Sequence, residues 1–318
     1  MIAAAATRAL PRGKALDTLV ERIARQLARQ PSEGKVADYI PALANVAADR
    51  FGIAVATLDG QVAVAGDATE GFSIQSISKV FALTLACKTL GADLWRRVGR
   101  TPSANQFNSL IELELEHGKP RNPFVNAGAL VVADALSTRF VQMEAAVVHM
   151  VRQLAGNPRI DYDREVAASE LRVAHRNLAA AHLIKSLGNF ENPVAEVVKA
   201  YCAQCAIRCS CADLATAMLF LANRGACPRS GLQVLSPVES HQICALMMSS
   251  GTYEASGETS FVLGLPVKSG VGGGLVGVIP GQGAISAWSP LLDGSGTSIK
   301  AMEALRLFVS ATDCSVFL

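Results

Sequence analysis

Between Lys14 and Gln30 apolar residues recur at Leu16, Leu19, Val20, Ile23 and Leu27. This three- and four-residue spacing marks one helical face and predicts a first docked helix. From Phe51 the texture changes to FGIAVATL and QVAVAG, two short apolar runs separated by Asp59-Gly60. That pattern predicts two strands joined by a two-residue hairpin. From Val80 to about Ser250 the spacing is mostly helical. CADLATAMLFLANRG (211–225) reads as a nearly all-apolar helix, stopped by Gly225 and buried in a helical bundle. Ser236-Pro237-Val238-Glu239 is a capping box with Pro at the first helical position, and predicts a helix to about Met248. Strands are predicted again from Thr259 to Leu265, from Gly274 to Ile279 and from Ala284 to Trp288, with a final helix from about Ser298 to Ala311.

Strands at both chain ends with helices between them predict an α/β fold: one antiparallel sheet from the two termini, flanked by helices, with an all-helical subdomain inserted. Residues 1–13 read as a flexible N-terminal arm and 14–318 as one domain, with no linker and no repeat.

Composition narrows the class. The chain has 318 residues, 50% hydrophobic and only 18% charged, against about 25% charged in an average domain, so a large interior is expected. A formal net charge of +2 offers no basic face for nucleic acid. No apolar run reaches the ~18 residues a membrane span needs. The opening MIAAAAT lacks the basic start and long apolar stretch of an export signal, so a cytoplasmic location is expected. Eight cysteines in that setting are expected to be free thiols. Cys202, Cys205, Cys209 and Cys211 are spaced closely enough to raise a zinc site, but the plainer expectation is small buried residues near a helix, with no cofactor. So apolar a chain also has surface to cover, and a homodimer or homotetramer is expected.

The informative stretch is FSIQSISKVF (72–81). Ser76 and Lys79 are three apart, so on a helix capped by Ser73 they share a face close to the unpaired N–H groups of the first turn. A lysine among apolar residues is desolvated, which lowers its pKa toward that of a usable base. Lys268-Ser269-Gly270 downstream is a second element. In serine enzymes of the penicillin-recognising type, a K-[ST]-G strand lines the cleft of the S-x-x-K helix. Competing chemistries are weaker. The glycines at 270–274 lead into a predicted strand rather than the helix a phosphate loop requires, and there is no G-x-S-x-G elbow. His117, His149, His175, His182 and His241 are scattered and form no metal spacing.

GKVADYIPALA (34–44), FSIQSISKVF (72–81), PSANQFNS (102–109), HGKPRNPFVNAGAL (117–130), the segment from Glu170 to Asn177, YCAQC (201–205) and GLPVKSGVGGG (264–274) together resemble the serine-dependent glutaminase family. The resemblance runs in order from about residue 15 to about residue 310. It implies a β-lactamase-like fold and hydrolysis of L-glutamine to L-glutamate and ammonia through a glutamyl-enzyme intermediate. Carried over, Ser76 is the nucleophile and Lys79 its activator. Tyr201 and Tyr253 match two family tyrosines, either of which can relay a proton, with Lys79 expected to hold the phenol pKa below its usual ~10. The N–H groups of Ser76 and Val271 are the oxyanion donors. Glu170 is the partner for the substrate ammonium, and Tyr39, Asn126 and Asn177 are neutral contacts. A penicillin-type enzyme would share Ser76, Lys79 and Lys268, but the chain has no Ser-Asp-Asn element. Departures from the family pattern are local: Gly294-Ser295-Gly296-Thr297-Ser298 replaces a Gly-Asn-Ser loop, and Ser249-Ser250-Gly251 precedes Tyr253 where a Cys-Gly is common.

Overall fold

The computed structural model describes residues 9–103 and 109–318. Residues 1–8 of the expected arm, and most of the 102–109 string, lie outside the described residues. Of the rest of the arm, Leu10 is buried, and its N–H donates to Gln282 Oε1 at 2.8 Å. The first helix, α1 (Lys14–Ala28), buries the apolar face read from its spacing.

Strands β1 (Gly52–Thr57) and β2 (Val62–Gly66) pair antiparallel, but not through a two-residue turn. The Thr57 N–H donates to Gln61 O at 2.9 Å, and Gly60 takes a positive φ of 96°. The connection is therefore a three-residue loop with its left-handed position on glycine. β1 is buried along its whole length, so it shows no inside–outside alternation, whereas the edge strand β2 does.

β3 (Phe72–Ser73) leads through a 3-10 turn over Gln75–Ile77 into α2 (Ser78–Leu90), which is buried on every side from Ser78 to Cys87. Such a helix must be enclosed by others. The short α3 (Leu94–Arg97) and α4 (Ile111–Leu115) follow, then α5 (Asn126–Ser137), α6 (Met143–Ala155), β4 (Asp161–Tyr162), α7 (Arg164–Arg172), α8 (His175–Ser186) and α9 (Val194–Cys205). Helices α5, α6 and α9 pack directly on α2. β5 (Ile207–Cys209) lies between β3 and β4 in a three-stranded sheet that ties the start of α2 to the end of α9.

The apolar stretch 211–225 differs from its expectation in two ways. It breaks at Met218 into α10 (Cys211–Ala217) and α11 (Leu219–Ala222), and α10 packs on β1 and β8 as well as on α6. A second capping box, Ser210 with Asp213, starts it. The predicted box at Ser236 and Glu239 opens α12 (Pro237–Ser250).

The strand predicted from Thr259 to Leu265 is instead a helix, α13 (Ser256–Leu263). Its buried residues Ser256, Thr259 and Leu263 keep helical spacing, while Phe261 is 88% exposed. The strand lies just beyond Gly264, as β6 (Val267–Gly270). It is followed by β7 (Gly274–Ile279), β8 (Gly283–Trp288) and α14 (Ile299–Thr312), which Ser298 caps.

The main sheet runs β2-β1-β8-β7-β6, antiparallel throughout, so strands from the two chain ends meet at β1 and β8. α1 and α14 cover one face and α10 the other. β6, at the sheet edge, lies against the 3-10 turn that precedes α2. Among the described residues, no helix is long and apolar enough to cross a membrane.

Candidate active site

Four glycines decide how closely that edge meets the start of α2. A Cβ on Gly270 would lie 2.3 Å from the Ile74 carbonyl oxygen, one on Gly272 2.0 Å from that of Ser73, and one on Gly274 2.6 Å from the Phe72 ring. Gly273 turns the chain with a φ of 93°. The Phe72 ring stacks on Trp288 at 4.9 Å, and the indole N–H donates to Gly272 O at 2.9 Å, fixing the hairpin end against β3. Val271 lies between the two closest contacts.

Ser73 is not the helix cap expected of it. It pairs with Arg208 in the small sheet, donates its hydroxyl to Cys205 O at 3.2 Å and accepts from Gln75 Nε2 at 3.0 Å. α2 starts instead from the 3-10 turn, and no side chain caps it. Gln75, the residue before Ser76, is buried with a φ of 49°. A left-handed non-glycine residue of this kind costs about 1–3 kcal/mol and persists only where its surroundings enforce it. Here both hydrogens of the Gln75 amide are held, by Ser73 and by Glu170 Oε2 at 3.3 Å. Gln75 carries no sequence signal of its own, since its backbone angle and its partner 95 residues away are both non-local.

Ser76 lines a cavity of about 450 Å³ together with Tyr39, Gln75, Asn126, Glu170, Asn177, Tyr201 and Val271. All the carried-over residues except Lys79 and Tyr253 thus line one wall or another of it. Those two lie directly beneath. Lys79, 2% exposed, donates from Nζ to Asn126 Oδ1 at 2.7 Å, to Phe124 O at 3.0 Å and to Tyr253 Oη at 3.4 Å. Burial lowers its pKa from the ordinary lysine value to about 8. The Tyr253 hydroxyl is also hydrogen-bonded to Ser76. Ser76, Tyr253 and Lys79 therefore form a chain, with the phenol in the middle. Tyr253 has a φ of 57°, so a second left-handed residue flanks the serine.

Burial pushes the phenols of Tyr201 and Tyr253 well above the ordinary tyrosine value, opposite to the lowering expected from Lys79. Desolvation of the phenolate outweighs the nearby amine, which is itself desolvated and readily neutral. Tyr201 hydrogen-bonds Cys205 and reaches Asn126 Oδ1 only at 3.5 Å. Asn126 Nδ2 donates to Asn177 Oδ1 at 3.0 Å. Glu170 is buried, and its pKa is raised to about 7 by that burial, against the opposing pull of the Gln75 amide and Lys79.

The mouth is built from two segments far apart in sequence. Lys35 and Leu292 exchange backbone hydrogen bonds of 3.0 and 2.8 Å, which brings residues 35–40 and 292–296 together over the opening. Tyr39, 54% exposed, stands at this rim. None of the five histidines lines the cavity. Cys202, Cys205, Cys209 and Cys211 are all buried free thiols, and among the described residues no group of three His, Cys, Asp or Glu side chains could hold a metal ion.

Residues 34–317 match the family model described as Glutaminase. A glutaminase of Paraburkholderia phytofirmans is 52% identical over 300 residues, covering 94% of this chain and 99% of the relative. One of Ralstonia nicotianae is 51% identical over 299 residues, covering 94% and 98%. Among solved structures, a probable glutaminase, ybaS, superposes with a TM-score of 0.92 at 35% identity, covering 96% of this chain and 99% of that one. A probable glutaminase of Bacillus subtilis gives 0.85 at 32%, covering 96% and 97%.

Proposed function

Because the chain belongs to the glutaminase family, with its β-lactamase-like fold, and so hydrolyses L-glutamine to L-glutamate and ammonia, we propose that the reaction runs through a glutamyl ester on Ser76. The observation that carries this reading is the hydrogen-bonded chain from Ser76 through Tyr253 to Lys79.

A serine hydroxyl needs a base. Lys79 has two fixed acceptors, Asn126 Oδ1 and Phe124 O, so when neutral it keeps two N–H bonds and turns its lone pair toward Tyr253. With its pKa near 8, the amine is neutral in roughly a tenth of molecules at pH 7 and becomes the main form above pH 8. Tyr253, whose phenol resists ionisation, passes protons without storing charge: it gives its own to Lys79 as it takes that of Ser76. The serine oxygen then attacks the side-chain carbonyl carbon of glutamine. The oxyanion is met by the N–H groups of Ser76 and Val271. As the C–N bond breaks, the proton returns from Lys79 through Tyr253 to the leaving ammonia. A water molecule enters along the same path and gives a proton through Tyr253 to Lys79 as its oxygen attacks the ester carbon; when the ester C–O bond breaks, that proton returns through Tyr253 to the Ser76 oxygen and glutamate is released.

Recognition of the zwitterion falls to the cavity walls. The Glu170 carboxylate takes the α-ammonium, held in place by Gln75. Asn177, whose oxygen is occupied by Asn126, presents its amide nitrogen to the carboxylate, with Tyr39 at the rim. One relative at 35% identity and a TM-score of 0.90 has been solved in its glutamate form, which supports a site shaped for the product.

Ammonia release from glutamine tests the reading. Ser76→Ala, Lys79→Met and Tyr253→Phe are each expected to lower kcat by at least about 10²-fold, the scale of a lost general base or nucleophile, while circular dichroism stays that of the parent. Near-parental turnover in Ser76→Ala overturns the assignment.

A further inference from the structure

Lys268 lies outside the chemistry just described. It is fully buried on β6 and does not line the cavity, so it cannot meet the substrate. Its Nζ donates to Gly251 O at 2.7 Å and to Ser269 O at 2.8 Å, and sits 4.2 Å from the centre of the Tyr253 ring, within range of a cation–π contact. Gly251 precedes Tyr253 by two residues, and its carbonyl also accepts from the Ser269 N–H at 3.3 Å. The approach of this turn to the strand is close enough that a Cβ on Gly251 would fall 1.8 Å from Val267 O. The turn that carries the left-handed Tyr253 is therefore fastened to the strand that leads into Val271, by the Ser269 N–H and by the Lys268 amine.

We propose that Lys268 is a positioning residue for the reaction: it holds the Gly251–Tyr253 turn on β6 and the Tyr253 ring from its face, so that the hydroxyl stays between Ser76 and Lys79. The inference rests on the relay reading above. Removing the amine frees Gly251 O and one face of the ring while leaving every cavity-lining residue unchanged. A shift of about 1 Å in the phenol is enough to lower turnover ~100-fold.

The test is a double-mutant cycle on kcat and KM for glutamine with parent, Lys268→Met, Tyr253→Phe and the double variant. Lys268→Met is expected to lower kcat about 100-fold with KM within about threefold. In the Tyr253→Phe background the same change is expected to cost under about threefold, because the group it positions has gone. Should Lys268→Met not fold, Lys268→Gln takes its place in the cycle and is judged by the same ratio. Two losses that multiply, or a Lys268 variant with kcat within threefold of the parent, overturn the proposal. If Tyr253→Phe alone costs less than about tenfold, the relay reading itself fails, which is a distinct outcome.

Discussion

Gly272→Ala is the substitution whose effect follows most directly from geometry. The backbone of Gly272 lies outside the left-handed region, so alanine meets no conformational strain there. Its Cβ, however, would lie 2.0 Å from Ser73 O, and real contacts of this kind begin near 3.0 Å. The β6–β7 end must therefore move from β3 by about 1 Å or more. Val271 moves with it, and its N–H leaves the position where the oxyanion develops. Losing one preorganised donor costs about 10²–10³ in kcat, or ~3–4 kcal/mol, whereas the steric misfit itself costs stability ~1–3 kcal/mol. In a chain of this size the latter is a drop of several degrees in Tm, not unfolding.

Ammonia release under saturating glutamine, with thermal unfolding measured alongside, separates the two effects. Two controls bracket the result. Gly257→Ala, where a Cβ meets nothing within 4 Å, is expected to leave both quantities unchanged. Val271→Ala keeps the backbone N–H and is expected to lose less than about tenfold. A Gly272→Ala enzyme with parental kcat, or a Val271→Ala enzyme as damaged as Gly272→Ala, refutes the assignment of the oxyanion donor to the main chain at Val271.

Other consequences follow from the buried charges. kcat/KM is expected to rise with pH in two steps, near 7 as Glu170 ionises to receive the ammonium and near 8 as Lys79 loses its proton; a profile flat from pH 6 to 9 contradicts both roles. Glu170→Gln is expected to remove the lower step and to raise KM for glutamine far more than for an analogue acylated on the α-nitrogen; equal losses on both would take Glu170 out of ammonium recognition. The same variant has a stability signature. Glu170 binds its proton more tightly folded than unfolded, so its contribution to stability is complete below the unfolded value of 4.5 and declines as pH rises through about 7. Ligand-free Glu170→Gln is accordingly expected to melt above the parent at pH 8, with the difference vanishing below pH 4.5.

The parts of this site that sequence reveals are those encoded by short spacing. The capping box at Ser236 depends on neighbours within a few residues and forms where its motif predicts, whereas Ser76 lies in a 3-10 turn ahead of the helix that carries Lys79, and the strand of Lys268-Ser269-Gly270 starts beyond the predicted 259–265 run, with Lys268 buried behind the cavity rather than lining it. What stays hidden depends on contacts between distant segments. The left-handed angles of Gln75 and Tyr253 are imposed by tertiary packing, and the cavity rim exists because Lys35 pairs with Leu292. Ser73 looks like a helix cap in one dimension and becomes a strand residue only because Arg208 lies opposite. The run from Thr259 to Leu265 misleads for a related reason: it is apolar enough to pass for a strand, yet it is mostly a helix that turns Phe261 outward. The direction of the tyrosine shifts also needed burial, which no local pattern carries.

Everything proposed for the reaction depends on a covalent bond between the serine oxygen and the acyl group of the substrate. Acid quenching during steady-state turnover, followed by peptide mass spectrometry, looks for that bond directly. A glutamyl group on the peptide bearing Ser76, absent from Ser76→Ala, is the predicted result; a glutamyl group on any other residue would contradict it.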